Sequence, residues 1–140
     1  MSSSSGNFSV FGEDRRTEAR ERALSLLYEA EAKGYEADQV LGELVVPADP
    51  MAELLVRGVF THMARIDFLI TSYAKGWTLD RMPVIDRSVL RIATFELIER
   101  PDVPTAVILD EAVELAKQFS TDDSGRFVNG LLASIARATR

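Results

Sequence analysis

Residues 86–132 read DRSVLRIATFELIERPDVPTAVILDEAVELAKQFSTDDSGRFVNGLL, and this stretch decides the fold. Apolar residues recur at spacings of three and four before residue 100 and again over residues 107–119, which predicts two amphipathic helices. The segment RPDVP at residues 100–104 separates them, because proline interrupts a helix. A third helical pattern follows the polar turn that precedes Arg126. The stretch therefore predicts three consecutive helices.

The same helical periodicity extends upstream from this stretch. Helices are predicted over residues 16–33, 36–44, 50–73, 84–99, 105–118 and 122–138, with a short helical piece before Met82. Gly34 is suited to end the first helix, while Asp49 and Pro50 supply an N-cap and a first helical residue. No segment alternates with period two for long enough to suggest a sheet. The sequence predicts an all-α fold, a compact bundle of about six to seven helices in two helical subdomains.

The length of 140 residues fits a single domain. Residues 1–14 are rich in Ser and Gly with only isolated apolar residues, so a flexible N-terminal arm is expected. Residues 15–140 are expected to form one helical domain. A boundary near Gly76 divides it into subdomains of about residues 15–75 and 77–140.

The composition limits the function classes. The chain has no cysteine, which excludes disulfides and thiolate chemistry and makes a cytoplasmic location the simplest expectation. No apolar run approaches the roughly 18 residues that span a bilayer, so no membrane association is expected. The net charge of −6 argues against a general nucleic-acid binder, although a local basic patch remains compatible with it.

The residues for catalysis are sparse. His62 is the single histidine, and its apolar neighbours favour a packed or rim position over a catalytic one. Asp110 and Glu114 lie four residues apart on one predicted helix, where a solvated face is favoured over a metal site. No glycine-rich phosphate loop follows a predicted strand. We therefore predict a protein that is not an enzyme and has no cofactor or metal.

An arginine cluster at the start of the first predicted helix is a candidate RNA-binding site. Arg16 and Arg20 are one turn apart and could together meet a phosphate backbone. Acidic neighbours bring the segment close to neutrality, so a solvated face of ion pairs is the alternative. The cluster comprises Arg15, Arg16, Arg20 and Arg22, interspersed with Glu13, Asp14, Glu18 and Glu21.

Two aromatic residues have two interpretations each. Tyr28 lies two turns after Arg20 on the same predicted helix, and Phe127 follows the acidic turn. Either ring could stack on an unpaired base, as recognition of single-stranded RNA commonly requires. Either could instead pack in the core. The pattern alone leaves both alternatives open.

The motifs together resemble the NusB family of bacterial transcription antitermination factors. They are ARERALSLLYEAE at residues 19–31, VLRIATFEL at 89–97, VILDEAVELAK at 107–117 and FVNG at 127–130, and the resemblance extends over roughly nine tenths of the chain. It implies a non-enzymatic protein that binds the boxA element of nascent ribosomal RNA transcripts. It also implies two partners, the ribosomal protein NusE and the RNA polymerase antitermination complex. A homodimer is a further arrangement that some relatives adopt.

The resemblance also implies roles for individual residues. Arg16 and Arg20 match RNA-binding positions, with Arg15 and Arg22 as their neighbours. Tyr28, Asp123 and Phe127 match positions associated with RNA contact. Asp86 matches a usually acidic position linked to NusE. The acidic residues around the arginines depart from the denser basic start of many relatives.

Two other functions remain as alternatives. One is a NusB-like RNA-binding domain of an rRNA methyltransferase, against which the lack of a catalytic segment and of cysteine counts. The other is a helical protein–protein adaptor whose arginines are solvated and do not bind RNA.

Overall fold

The structure is a computed structural model that describes the backbone of residues 4–140 and the side chains of residues 15–140. This part of the chain is all-helical, with seven α-helices, one short 3-10 turn and no strand. The prediction of an all-α fold with about six to seven helices is confirmed. The helices are α1 (Ser4–Lys33), α2 (Ala37–Gly42), α3 (Pro50–Thr61), α4 (Met63–Tyr73), α5 (Val84–Glu99), α6 (Thr105–Phe119) and α7 (Asp122–Thr139), and the 3-10 turn is Leu79–Arg81.

The helix ends follow local chemistry. Gly34 adopts a φ of 68° directly after α1, a conformation that glycine adopts without the steric cost of a Cβ. Asp49 caps α3 by accepting hydrogen bonds from the backbone N–H groups of Met51 and Ala52, both at 2.9 Å. Thr121 caps α7 by accepting one from the N–H of Ser124 at 3.0 Å. These caps satisfy N–H groups that a helix leaves without partners.

Helix α5 forms the centre of the bundle. It packs against α1, α3, α4, α6 and α7. Eleven of its residues are buried, among them Val89, Ile92, Ala93 and Leu97, which the apolar spacing of this helix predicts to face inward. Because α5 is buried on nearly every side, it also carries charged residues into the interior.

The prediction of one continuous helix over residues 50–73 is wrong, because the structure contains two helices that meet at His62. Its backbone has a φ of −106° and a ψ of 16°, which departs from helical values. The His62 ring lies 5.9 Å from the ring of Phe95 on α5, and Nε2 is 3.5 Å from Oε1 of Glu99. The expected packed or rim position of this histidine is confirmed.

Other boundaries and faces also differ from the predictions. Helix α1 begins at Ser4, before the predicted start near residue 16. The apolar spacing of residues 50–73 predicts that Leu54 is buried, but it is 43% exposed, whereas Leu55 and Val56 face the core. The flexible arm expected over residues 1–14 falls outside the described side chains, and residues 1–3 lie outside the described backbone. The division into two subdomains stays a prediction.

Arg140 holds the end of α5 in place. Its guanidinium donates hydrogen bonds to the backbone carbonyls of Glu96, Leu97 and Arg100, at distances between 2.8 and 3.2 Å. It also donates to the carbonyl of Val103 at 2.7 Å. These carbonyls belong to the last turn of α5 and the segment after it, where a cation interacts favourably with the helix dipole.

No helix in the described part of the chain is long and apolar enough to cross a membrane.

Candidate nucleic-acid interface

Three arginines of the predicted cluster lie on the solvent side of α1. Arg15, Arg16 and Arg22 are exposed. None of them forms an ion pair with a carboxylate of residues 15–140. Their guanidinium groups therefore face solvent, and each could bind a phosphate through paired N–H groups.

Arg20 belongs to the interior, although it is only one turn from Arg16. It is 2% exposed, and its Nε and Nη2 donate to the two carboxylate oxygens of Glu96, both at 2.8 Å. Its Nη1 donates to Oε1 of Glu111 at 3.2 Å, and the same oxygen accepts from Oγ1 of Thr17 at 2.6 Å. We call the cluster Arg20, Glu96 and Glu111 the buried ion cluster.

The carboxylates of this cluster keep the Arg20 guanidinium charged. Burial by itself lowers the pKa of Arg20, but the hydrogen bonds and negative charges of Glu96 and Glu111 outweigh it and raise the pKa. Because the guanidinium is enclosed and held by two carboxylates, it is not presented to an RNA phosphate. The structure corrects the sequence prediction for Arg20, which anchors α1 to α5 and α6 instead.

Tyr28 lies beside an open groove on the surface of α1. Its side chain is 49% exposed, and the groove has a volume of about 530 Å³. Leu24, Ile85 and Phe119 supply the apolar walls, and Glu18, Glu21, Arg22 and Ser25 complete the lining. Core packing is therefore not the role of Tyr28, and its ring is accessible to a base or a protein side chain.

The remaining predicted residues gather around a second, smaller pocket of about 200 Å³. Asp86, Asp123 and Phe127 all line it, together with Trp77. The Trp77 and Phe127 ring centroids are 6.0 Å apart, and the ring planes are inclined at 60°. The Asp123 carboxylate is exposed and pairs with Arg126. We call this cavity the Asp86 pocket.

Asp86 is too deeply buried to contact a partner that lies on the protein surface. It is 3% exposed, and Oδ2 accepts a hydrogen bond from Oγ of Ser124 at 2.9 Å. The predicted contact of Asp86 with a protein partner therefore requires a group of the partner to enter the pocket.

The structure thus divides the predicted set into four locations. Arg15, Arg16 and Arg22 face solvent on α1, Tyr28 opens onto the groove, and Arg20 is internal. Asp86, Asp123 and Phe127 meet at the pocket. The groove and the pocket both border the start of α5, because Ile85 lines the first and its neighbour Asp86 lines the second.

Sequence reasoning missed the partners of these residues. Glu96 is 1% exposed, and its position one turn after Ile92 and Ala93 on the buried stripe could have indicated burial. Trp77, the single tryptophan, follows Gly76 in a turn, and nothing in its local sequence indicates that its ring meets Phe127. Phe119, at the end of α6, is 46% exposed in the groove.

The described residues show no arrangement for metal binding. No group of three or more His, Cys, Asp or Glu in the described part of the chain could hold a metal ion. Asp110 and Glu114 are exposed on α6, which confirms the prediction of a solvated face.

Comparisons with known proteins agree with this architecture. The family model described as NusB family matches residues 17–137. The structure of T. maritima NusB is similar, with 37% sequence identity, a TM-score of 0.79 and coverage of 87% of this chain and 90% of that one. The solution structure of NusB from Aquifex aeolicus is 30% identical, with a TM-score of 0.72 and coverage of 88% of each chain.

A third similar structure is a complex. It is described as the antitermination factors NusB and NusE in complex with dsRNA, and the matching chain is 27% identical with a TM-score of 0.75. The match covers 88% of this chain and 96% of that chain.

Proposed function

The chain belongs to the NusB family, and on this premise we propose that it is a non-enzymatic transcription antitermination factor that binds RNA together with NusE. The specific RNA is the boxA element of nascent ribosomal RNA transcripts. The protein carries this RNA into an RNA polymerase antitermination complex in the cytoplasm. A homodimer that covers the RNA-binding face is the resting arrangement if the free protein self-associates.

The outward-facing arginines of α1 are the observation that supports RNA binding most directly. Arg15, Arg16 and Arg22 combine exposure with the lack of an ion-pair partner among residues 15–140. The net charge of the chain is −6, so phosphate contacts must come from local cations rather than from the overall field. Three guanidinium groups on one helix, without an ion-pair partner among residues 15–140, supply such a local site.

The aromatic and acidic residues add selectivity to this site. The half-exposed ring of Tyr28 offers a stacking surface on the same helix as the arginines. Phe127 offers a second ring, and Asp123 can accept hydrogen bonds from base amino groups. Arg20 acts through the position of α1 and does not touch the RNA.

NusE contributes affinity through a shared assembly. The net charge of −6 suits a basic protein partner, and Asp86 is the residue that we assign to the contact with NusE. When the partner and the protein both contact the RNA, the second contact becomes intramolecular and the whole complex tightens. This mode compensates for the acidic residues that dilute the basic start of α1.

The test is a fluorescence-anisotropy titration of boxA-like RNA against a scrambled RNA of the same composition. It is performed at a fixed near-physiological salt concentration, with and without NusE, because salt dominates such affinities. We expect preferential binding of the boxA-like RNA that tightens when NusE is present. Equal or absent binding of both RNAs with NusE present contradicts the proposal.

Single variants identify the site. Arg15→Gln, Arg16→Gln and Arg22→Gln each remove one cation, so each should lower the slope of log affinity against log salt by about 0.7 for a single-stranded RNA. Arg65→Gln is the matched control, because Arg65 is exposed on α4. A control that weakens binding as much as the α1 variants indicates a diffuse charge effect.

The same variants separate the two alternatives. If the protein is a helical adaptor, Arg16→Gln still binds NusE, and the substitution has no effect on RNA binding. An RNA-binding domain of an rRNA methyltransferase binds structured ribosomal RNA in preference to boxA, which a third RNA in the titration detects.

A further inference from the structure

Helix α4 has an outer face that the candidate RNA site does not include. Successive residues of a helix turn by about 100°, so the fully buried Ile66 and Ile70 mark the side of α4 that packs against the bundle. Arg65 and Phe68 lie on the opposite side, three residues apart and therefore adjacent. Arg65 is exposed, and Phe68 is 71% exposed, although phenylalanine is among the residues most often buried. A cation and an aromatic ring are thus neighbours on the outer face of α4.

Two further groups of the same kinds follow in the turn after α4. Lys75 is exposed, and the side chain of Trp77 is 51% exposed. Neither Arg65 nor Lys75 forms an ion pair with a carboxylate of residues 15–140. We call Arg65, Phe68, Lys75 and Trp77 the α4 strip.

The carboxylates near the α4 strip do not cancel its charge. Residues 64–81 contain two of them, Asp67 and Asp80. Asp67 is held by Arg91 of α5, whose Nε and Nη2 donate to its two oxygens at 2.9 and 3.0 Å. Asp80 shares the 3-10 turn with the oppositely charged Arg81. The two cations of the α4 strip are therefore in excess, and they form a local positive region on a chain whose net charge is −6.

The α4 strip adjoins the surface that we propose for RNA. Trp77 is the link, because its ring centroid lies 6.0 Å from that of Phe127. Helix α4 also packs against α7, which carries Phe127 and Asp123. An RNA chain that leaves Phe127 can therefore meet Trp77 first and the rest of the α4 strip next.

We propose that the α4 strip binds a second segment of single-stranded RNA, the nucleotides that adjoin boxA in the transcript. This inference rests on the proposed function, which supplies the RNA. Exposed cations interleaved with aromatic rings bind single strands with little sequence preference, because the cations bind phosphates and the rings stack on unpaired bases. Phe68 stacks on one base, and Arg65 and Lys75 bind phosphates.

The charge of the α4 strip disfavours the other occupants. A basic protein partner suits the overall charge of −6, but the unpaired cations of the strip repel it locally. A second copy of the chain would bring the cations of two strips together, because a symmetric dimer pairs the same patch on both subunits. RNA, by contrast, carries the charge that complements the strip.

RNAs of different length test the proposal. One is the boxA-like RNA alone, and the others carry about ten added uridines, at the 5′ end in one version and at the 3′ end in the other. Fluorescence anisotropy is recorded with the full chain and NusE at several salt concentrations. We expect one of the extended RNAs to bind about tenfold more tightly than the short one, the effect of one stacked base. Its slope of log affinity against log salt should be steeper by about 1.4, because two phosphates are added to the contact.

The proposal is overturned if neither extension binds more tightly than the short RNA. An extension that binds more tightly with an unchanged salt slope also overturns it, since the cations of the strip then take no part.

Variants of the α4 strip assign the added affinity. Phe68→Ala should weaken the extended RNA about tenfold, through the loss of one stacked base. Arg65→Gln and Lys75→Gln should each lower the salt slope for the extended RNA by about 0.7. The short boxA-like RNA does not reach α4, so all three variants should bind it unchanged. Variants that weaken the short and the extended RNA equally contradict the assignment.

Leu54→Ala and Arg137→Gln are the matched controls. Leu54 is an exposed apolar residue on α3, and Arg137 is an exposed arginine near the end of α7. Both controls should bind the short and the extended RNA like the unmodified chain. If the controls weaken the extended RNA as much as the strip variants do, the added affinity comes from the whole surface and the α4 strip is not its site.

Two measurements without RNA detect a different occupant. If Phe68→Ala weakens the binding of NusE, the α4 strip is a contact with a protein. If Phe68→Ala dissociates a dimer of the free chain in analytical ultracentrifugation, the strip is an interface between copies. Either result overturns the RNA assignment.

The proposed function and the α4 strip can fail separately. The preference for the short boxA-like RNA over its scrambled control tests the function and does not involve the strip. If this preference is present and the extensions add nothing, the antitermination function stands and only the strip assignment fails. If the preference is absent, the proposed function fails, whatever the extensions do.

Discussion

Arg20 and Arg57 are each held by two carboxylates, but Arg20 lies inside the bundle and Arg57 lies on its surface. Arg20 pairs with Glu96 and Glu111, and its side chain is 3% exposed. Arg57 pairs with Asp38 and Glu53, and its side chain is 45% exposed. Burial lowers the pKa of Arg20, but the hydrogen bonds that it donates to Glu96 and Glu111 and the charges of these carboxylates raise the pKa by more. The hydrogen bonds that Arg57 donates to Asp38 and Glu53 likewise raise its pKa against desolvation.

The two clusters differ in the energetic consequence of losing a partner. At the surface, water replaces a missing partner, so an ion pair contributes little to stability. In the interior, the remaining charge has no substitute for its partner, and the cost is that of an unpaired buried ion. The contacts are similar, but only the buried ion cluster fixes the position of α1.

The largest effect is expected for Arg20→Met, which leaves Glu96 buried without its cation. The free energy of unfolding should fall by about 3–5 kcal/mol, the range for breaking a buried ion pair from one side. Urea denaturation followed by circular dichroism measures this change. Arg16→Met, one turn away and exposed, is the matched control and should leave stability unchanged.

A double variant tests the reason for that loss. Arg20→Met combined with Glu96→Leu removes the uncompensated charge, so it should recover more than half of the lost stability. If the double variant is as unstable as Arg20→Met, the loss comes from packing around the arginine and not from the charge of Glu96.

An intermediate effect is expected for Arg140→Ala, where an exposed arginine binds backbone carbonyls in place of carboxylates. Removing it deprives the carbonyls of Glu96, Leu97, Arg100 and Val103 of a cationic donor. The expected loss is about 1–2 kcal/mol, since the helix end can still be hydrated. Arg140→Lys keeps the charge but cannot form the same set of bonds. It should therefore recover only part of the stability in the same denaturation experiment.

The periodicity of the sequence predicted most of the fold, but it did not predict that Arg20 is buried while Arg57 is exposed. The boundaries of α5, α6 and α7 followed from proline, threonine and apolar spacing, which act locally. The burial of Arg20 depends on Glu96 and Glu111, which lie 76 and 91 residues away in the sequence. A helical pattern places Arg16 and Arg20 on one side of α1 but cannot show that α5 and α6 cover only the second. The same limit applies to Trp77, whose ring meets Phe127 through tertiary packing alone.

A small effect is expected for Arg57→Met, the surface counterpart of Arg20→Met. Asp38 and Glu53 remain solvated after the substitution, so the melting temperature should fall only slightly and by far less than in Arg20→Met. Any residual difference from the unmodified chain should disappear at high salt, because screening removes interactions between exposed charges. A loss as large as that of Arg20→Met would show that burial does not account for the contrast between the two clusters.

The smallest effect concerns a surface group that titrates within an accessible pH range. The hydrogen bond from the Tyr35 hydroxyl lowers the pKa of Glu43 from its ordinary value of 4.5, with Lys33 contributing in the same direction. A carboxyl with a lowered pKa in the folded state stabilises the fold above its unfolded value, and this contribution is lost as the pH falls through the folded value. Tyr35→Phe should therefore reduce the fall in melting temperature on acidification below about pH 4.5.

Tyr73→Phe is the control for this experiment, because Tyr73 is exposed on α4 and its hydroxyl bonds to no described residue. If the melting temperature of Tyr35→Phe falls with acidification as it does in the unmodified chain, water stabilises the Glu43 carboxylate as well as the Tyr35 hydroxyl does. Arg20 cannot be tested in this way, because its pKa is raised from a value that is already above the working range. A change of pH can therefore test the surface pair of Tyr35 and Glu43. The buried ion cluster can be tested only by substitution.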